Sequence, residues 1–582
     1  MKSSGTKPFK QYLPILEWLP SYKKQYLKND IIAGLTVGIM LIPQGMAYAM
    51  LAGLDPIHGL YASTLPLLLY AIFASSRQLA VGPVAIVSLL TAAGIASLNP
   101  QSTAEFLLYA VTLAMLVGII QLGMGLLKLG FISNFLSHPV ISGFTSAAAI
   151  IIGLSQFRHL LGVNMPGSDQ IQVIFYHLYL NIGDIHGATF FLGILGILII
   201  KGSKKIHPTL PGSLLAVVVG ILIITFSDLQ NNGVRILGSV PDGLPDLMLP
   251  SFDTSVWLVL LPIALTISLV GFAESFAVAK TVQSKHKDYK LNSNQELIGL
   301  GMANLGASIL KGFPVTGGFS RTAVNDQAGA KTGLASIISA LLIILTLLFL
   351  TPLFSNLPTA ILASVIIVAV IGLVNIKTPV ELWKRDRSDF WLLMATFIVT
   401  LTGGIETGII AGFALSIILV VYKASKPHMA RLGRIPGTHI FRNIERFPEL
   451  EEREDLLMIR MDGPFYYANV EYVKEKIDKW LEEKGEPLNK IVFDCQTITS
   501  IDSTAAHALL DWITDWHKIG FVVYICGAKG PVRDSLERWK IIDKVGHDYC
   551  FLSNEFVMAK LEGDIDENEK KKTDGYTFQS NL

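Results

Sequence analysis

The chain has 582 residues, of which 51% are hydrophobic and 16% charged, and 47 Lys and Arg against 46 Asp and Glu leave a formal charge of +1. It carries no nucleotide-binding loop, Walker motif or nucleophile elbow, and Cys495, Cys526 and Cys550 lack metal-ligand spacing. An enzyme, an ATP-driven machine and a nucleic-acid binder are therefore not expected, and no cofactor is expected.

The first 29 residues hold Lys7, Lys10, Lys23, Lys24 and Lys28 without an apolar core, which excludes a cleavable signal peptide. From Asp30 to about Tyr422, roughly fourteen apolar stretches approach the ~20 residues a spanning helix needs. They begin near Ile31, Gly59, Pro83, Glu105, Phe135, Thr189 and Gly212. After the polar loop Asp228 to Asp253 a second set begins near Val256, Gln295, Gly318, Gly333, Thr359, Asp389 and Glu406. Alternate loops carry Arg77, Lys128, Lys201, Lys204, Lys205, Lys280, Lys285, Lys287, Lys290, Lys331, Lys377, Lys384, Arg385 and Arg387. The opposite loops carry Arg158, Arg235 and Lys311. That asymmetry predicts an even number of spans with both termini on the lysine-rich, cytoplasmic side. An odd number of spans in each half gives the halves opposite orientations.

The third member of each half is unusual. "GPVAIVSLLT" (Gly82 to Thr91) and "GGFSRTAVND" (Gly317 to Asp326) follow Gly/Pro-containing backbone and are shorter than a full span. Paired interruptions of this kind point to a transporter's binding site. The topology aims the two helix N-termini at each other near the bilayer centre, where free N–H groups and helix dipoles attract an anion. Gly317 and Gly318 are expected to let the backbone approach a ligand; a helix-packing face is the alternative. Ser320 and Arg321 lie in the first turn, and an arginine costing at least about 2.5 kcal/mol at mid-membrane marks a cavity.

Glu274, in "LVGFAESFAVAK", has two readings: a fixed ion-pair partner of Arg321, or a carboxyl that carries a proton with the substrate. Glu406 reads as a helix-start acid. In the first span, "LIPQGMAYAM", Pro43 loosens the helix. Gln44 serves either a substrate or a neighbouring backbone, and Tyr48 is expected to pack, with a place on a pocket wall as the second reading.

Beyond Lys426 the strand-like runs "LLMIRM", "KIVFDC" and "FVVYIC" alternate with helical stretches from Val470 to Glu483 and Ala505 to Lys518, predicting a small α/β domain. Its cysteines read as reduced core thiols. Asp502, Ser503 and Thr504 read as a helix cap. The stretch 563–582 has the composition of a disordered tail.

The segments "PQGMAYA", "GLYAS…LLYAIFASSRQLAVGPVAIVSLL" and "FPVTGGFSRTAVNDQAGAKT" closely resemble the sulfate permease (SulP) family, whose animal members include pendrin and prestin. The resemblance covers nearly the whole chain. It implies an all-α membrane domain over 30–425, with 14 spans as 7+7 inverted repeats divided into core and gate domains (UraA-like). A cytosolic α/β STAS domain follows over 426–562. The implied activity is secondary active transport of an inorganic anion, proton-coupled sulfate uptake first; the alternatives are bicarbonate or dicarboxylate symport, or an exchanger or channel. The implied anion site lies near Ala85, Ile86, Phe319, Ser320 and Arg321, lined by Gln44, with Glu274 at the coupling position. Sodium-coupled bicarbonate members favour an aspartate with a nearby hydroxyl there, whereas Ala277 and Val278 follow Glu274, which favours H+. The family also implies a homodimer in the plasma or bacterial inner membrane, with a regulatory partner at the STAS domain and phosphorylation of Ser503.

Overall fold

Proline and glycine decide where many of this chain's helices stop. The computed structural model describes residues 12–563 apart from 132–136, 166–167, 169, 207–210, 228, 239–240 and 287, and apart from the side chains of Lys204 and Glu406. The expectations for Lys7, Lys10, Lys287, the Glu406 side chain and 564–582 lie outside the described residues.

In the first half, α1 (Lys24–Leu51), α2 (Ile57–Tyr61), α3 (Leu65–Phe73), α4 (Ala85–Ala96) and α5 (Thr103–Leu126) are followed by α6 (His138–Ser155), α7 (Gly187–Ile206) and α8 (Gly212–Thr225). The second half holds α9 (Thr254–His286), α10 (Ser293–Ile309), α11 (Phe319–Gln327), α12 (Leu334–Phe349), α13 (Thr359–Ile371), α14 (Arg387–Gly403) and α15 (Ile405–Ser425). Each of the fourteen expected spans has its helix. The second is broken in two at Thr64, because Pro66 near the start of α3 has no N–H to continue the ladder. Two further helices, Ile171–Leu180 and Lys377–Arg385, stood unpredicted between spans. They expose Phe175, Tyr176 and Tyr179, and Val380 and Trp383, as helices lying along a membrane surface do.

The halves interleave. Helix α1 packs on α12, and α5 on α9 and α10, forming one group; α6 packs on α14, and α7 on α8 and α13, forming another. Two buried acids fasten turns of the first group. Asp30 accepts from the Lys331 and Thr332 amides at 2.7 and 3.1 Å, and Glu296 accepts from the Ser75 and Ser76 amides at 2.8 Å each and from Tyr70 Oη at 2.5 Å. The sequence pass singled out neither acid.

By its contacts the chain divides at Ser416/Ile417, within α15. Taken by itself, the second unit is built on a mixed sheet of β3 (His428–Arg434), β4 (Phe441–Asn443), β5 (Leu456–Phe465), β6 (Lys490–Asp494), β7 (Ile498–Ile501), β8 (Val522–Cys526) and β9 (Cys550–Phe551). The order is β4-β3-β5-β6-β8-β9, with β7 paired to β5. Strand β3 runs antiparallel to β5, while β5, β6, β8 and β9 are parallel. Helices α16 (Val470–Lys484) and α17 (Ser503–Lys518) bury Trp480, Trp512 and Trp516 in the apolar layer on one face. The three cysteines are free and buried, and burial pushes the Cys550 thiol up to about 12.

Candidate functional site

Two short strands cross in the middle of the membrane unit. β1 (Val81–Gly82) and β2 (Thr316–Gly317) pair antiparallel, Val81 opposite Gly317 and Gly82 opposite Thr316. Helix α4 starts at Ala85 and α11 at Phe319, so the pairing holds both N-termini at one place. With 12 and 9 residues they rise only about 18 and 14 Å, short of the ~30 Å hydrocarbon core.

Neither start is capped. Val84 and Gly318 supply no side-chain acceptor, whereas α5, α10 and α14 begin on Ser102, Asn292 and Asp386 caps. The first intrahelical bonds are Ser88 N–H to Val84 O and Thr322 N–H to Gly318 O. The amides of Ala85, Ile86 and Val87, and of Phe319, Ser320 and Arg321, therefore have no partner in their own helices.

Arg321 is only 2% exposed. Its Nη1 donates to the Pro83 carbonyl at 2.8 Å and lies 3.5 Å from Gln44 Oε1, while Nε and Nη2 are buried without a hydrogen-bond partner. Arg321 forms no ion pair among the described residues, so the fixed Arg321–Glu274 pair, one reading open from the sequence, is not formed. Two glycines serve this arginine. A Cβ on Gly318 would stand 2.9 Å from Nη2, and Gly82 has φ +149°, where a side chain is strained. A Cβ on Gly317 would meet the Leu79 side chain at 2.7 Å. The paired glycines thus make room for Leu79 and Arg321.

Glu274 faces the same small cavity, of about 50 Å³, and its Oε2 is buried without a partner. Gln44, Ala85, Ile86, Phe319, Ser320 and Arg321 line it too, so every membrane-site residue named from the sequence meets there. Tyr48 is also on its wall, the second of the two readings the sequence offers. Its size is far below the ~300–1,000 Å³ typical of drug-sized ligands and suits a small ion. Gln44 and Ser320 also line a second cavity of about 280 Å³, which extends past Thr36 to Ile32 on α1 and to Gln327 at the last residue of α11, toward the lysine-rich side. The two cavities share those walls, and the larger one forms a vestibule toward that side.

One network escaped the sequence pass. Thr316 Oγ1 donates to the Gly271 carbonyl at 2.7 Å, Ser275 Oγ lies 2.6 Å from Thr316 Oγ1, and the Gly317 amide donates to Ser275 Oγ at 2.8 Å. Thr316 has one hydrogen, so Ser275 donates to it. The hydroxyl beside Glu274 therefore pins α9 to β2. Asn304 likewise ties α10 to Val315, just before β2: it exchanges bonds with the Val315 backbone, and its Nδ2 also donates to Gln121 Oε1 at 3.0 Å. In the second unit, Ser503 is exposed at the start of α17, where Asp502 caps the Ala505 amide at 2.8 Å.

The family model described as the sulfate permease family matches residues 27–396, and that of the STAS domain matches 447–555. The chain belongs to the sulfate permease family. Among the members most similar to it, "Sulfate transporter 4.1, chloroplastic" of Arabidopsis thaliana is 38% identical over 93% of this chain and 81% of its own length. "High affinity sulfate transporter 2" of Stylosanthes hamata is 32% identical over 94% and 87%. Among solved structures, SLC26A9 superposes with a TM-score of 0.88 at 26% identity, covering 96% of this chain and 94% of that one. The transmembrane domain of the cyanobacterial bicarbonate transporter BicA gives 0.59 at 25% identity, over 67% and 98%. This sulfate permease family member is thus a multi-pass membrane protein with an SLC26-like helical domain and a STAS domain.

Proposed function

We propose that the protein is a secondary active transporter that takes up sulfate together with protons. One observation carries this reading. Around one cavity stand two uncapped helix starts, two unpartnered nitrogens of Arg321 and an unpartnered oxygen of Glu274. Positive groups that nothing among the described residues satisfies fit an anion, and the ends of α4 and α11 with Arg321 and Ser320 are its proposed ligands. The plant relatives named as sulfate transporters support sulfate as the cargo.

Coupling follows from charge. Moving a dianion against 100 mV costs about 4.6 kcal/mol, twice the 2.3 kcal/mol of a single charge. Glu274 is the carboxyl placed to bring a proton with it. Radiolabelled uptake into proteoliposomes, comparing sulfate, bicarbonate and fumarate under imposed proton or sodium gradients, tests both parts. Sulfate uptake rising with an inward proton gradient is expected; uptake driven by sodium alone, or restricted to bicarbonate or fumarate, contradicts the reading. Glu274→Gln is expected to keep sulfate binding and lose the acid stimulation, and unchanged stimulation returns Glu274 to a structural role.

The proposed assembly is a homodimer, checked by its mass in nanodiscs, with a cytosolic partner acting at the STAS domain through phosphorylation of Ser503. Its proposed seat is the plasma or bacterial inner membrane with both termini in the cytoplasm. The chloroplast named for the Arabidopsis relative is the competing address, and fractionation decides.

A further inference from the structure

The vestibule between the Arg321 site and the lysine-rich side has polar groups but, among the described residues, no charged side chain on its walls. Thr36, Gln44, Ser213, Ser320 and Gln327 supply the polar groups. An anion released from Arg321 crosses this space past no cation of the described residues, and one helix start lies on the way. Helix α8 begins beside the vestibule at Gly212 and Ser213 and runs for 14 residues. Its N-cap is Pro211, which has no side-chain acceptor, and its first intrahelical bond is Leu215 N–H to Pro211 O. The amides of Gly212, Ser213 and Leu214 are left without partners in the helix.

A second observation is independent of the helix end. Ser213 is only 8% exposed, it lines the vestibule, and its hydroxyl has no hydrogen-bond partner among the described residues. The hydroxyl of Thr36, on the opposite wall, is already committed to the Ile32 carbonyl at 2.7 Å. The Ser213 oxygen is not sealed off by protein atoms, so it is open to the vestibule and available to a ligand there.

We infer that the start of α8, with the Ser213 hydroxyl, is a second and weaker anion subsite, where the transported oxyanion pauses between Arg321 and the lysine-rich compartment. Neutral donors alone make it weaker than the arginine site, and a passage site must bind loosely enough to let go. The inference rests on the proposed anion cargo. It adds a station that the primary site does not need.

Sidedness tests it. In proteoliposomes of sorted orientation, Ser213→Ala is expected to raise the half-saturating sulfate concentration about threefold when sulfate is presented from the lysine-rich side, with Ser213→Asp raising it more. Half-saturation from the opposite side stays unchanged, and Ser213→Thr restores the parent value. Equal shifts from both sides, or none from either, overturn the subsite.

A binding measurement keeps the question open should the aspartate variant fail to fold. Ser213→Cys and Thr36→Cys are labelled separately in the full chain with a charged thiol reagent, the parent's buried cysteines providing the blank. Sulfate is expected to slow labelling at 213 at least threefold and to leave 36 unchanged, also when Arg321→Ala removes the primary site. No slowing at 213, or equal slowing at both positions, overturns the subsite. Slowing at 213 alone in a parent that takes up no sulfate supports an anion subsite and counts against the proposed cargo.

Discussion

At the scale of single residues the site turns on how one guanidinium spends its donors. One nitrogen of Arg321 is tied to Pro83, and two more are buried and free. Lysine keeps the charge but not the planar fork, so it cannot hold the Pro83 carbonyl and present two further parallel donors. Arg321→Lys is expected to lower sulfate uptake about tenfold or more, and Arg321→Ala to lower it further, as loss of charge-assisted bonds of about 1.5–3 kcal/mol implies. Uptake per correctly inserted molecule is the measurement, and near-parent uptake by Arg321→Ala removes the residue from the site. Arg321 and Glu274 were legible in the sequence because charge inside an apolar run is costly and therefore conspicuous. Ser275, Thr316 and Asn304 were not, since a serine or asparagine in a span is ordinary until its partner is known. That partner lies 41 residues away for Ser275 and 183 for the Asn304–Gln121 pair. For Tyr48 the sequence leaves packing and a pocket wall both open, because the wall it belongs to is assembled from several helices.

At the scale of elements, the decisive object is the pair of crossing strands that seats α4 and α11. Their two-residue pairing is too short for any alternation to announce it, although Gly and Pro showed that the spans break there. The amphipathic helices between spans went unread because 10 and 9 residues are too few to cross and were counted as loops. Gly318 links this element to function. Its φ of −97° suits any residue, so Gly318→Ala should leave folding intact. The added methyl would press on Arg321 Nη2 and Cζ at 2.9 and 3.0 Å, and the guanidinium must move by a few tenths of an ångström. The expected outcome is a several-fold rise in the half-saturating sulfate concentration with thermal stability of the membrane unit unchanged. An equal loss of stability would make Gly318 a packing glycine instead.

At the scale of the whole molecule, the chain is two units with separate tasks, and the change in charge density beyond Lys426 made both visible beforehand. The tail has its own acid sensitivity. Arg453 donates to both oxygens of Asp455 at 2.9 Å and Lys490 adds a bond at 2.8 Å, so these partners hold the carboxyl well below the usual carboxylate range. A depressed folded value gives stability that is complete above the ordinary carboxylate value of about 4 and fades as pH falls below it. Asp455→Asn is therefore expected to melt about 2–4 °C lower than the parent at pH 7, the scale of a partly exposed ion pair, with the gap closing toward pH 2. Hydrogen exchange of β5 and β6 in the full chain reads it, and a gap independent of pH would contradict the ion-pair account. The membrane unit tests the division of labour. Every residue around the 50 Å³ cavity lies within Met1–Ser416, while α15 continues to Ser425. A stop codon after Lys426 therefore removes the STAS domain without cutting the last span. Such a protein is expected to transport more slowly, through poorer assembly or regulation, while ranking sulfate, bicarbonate and fumarate in the parent's order, because cargo choice is made by groups it still contains. A changed ranking, measured by competition in proteoliposomes, would mean that the tail shapes the site.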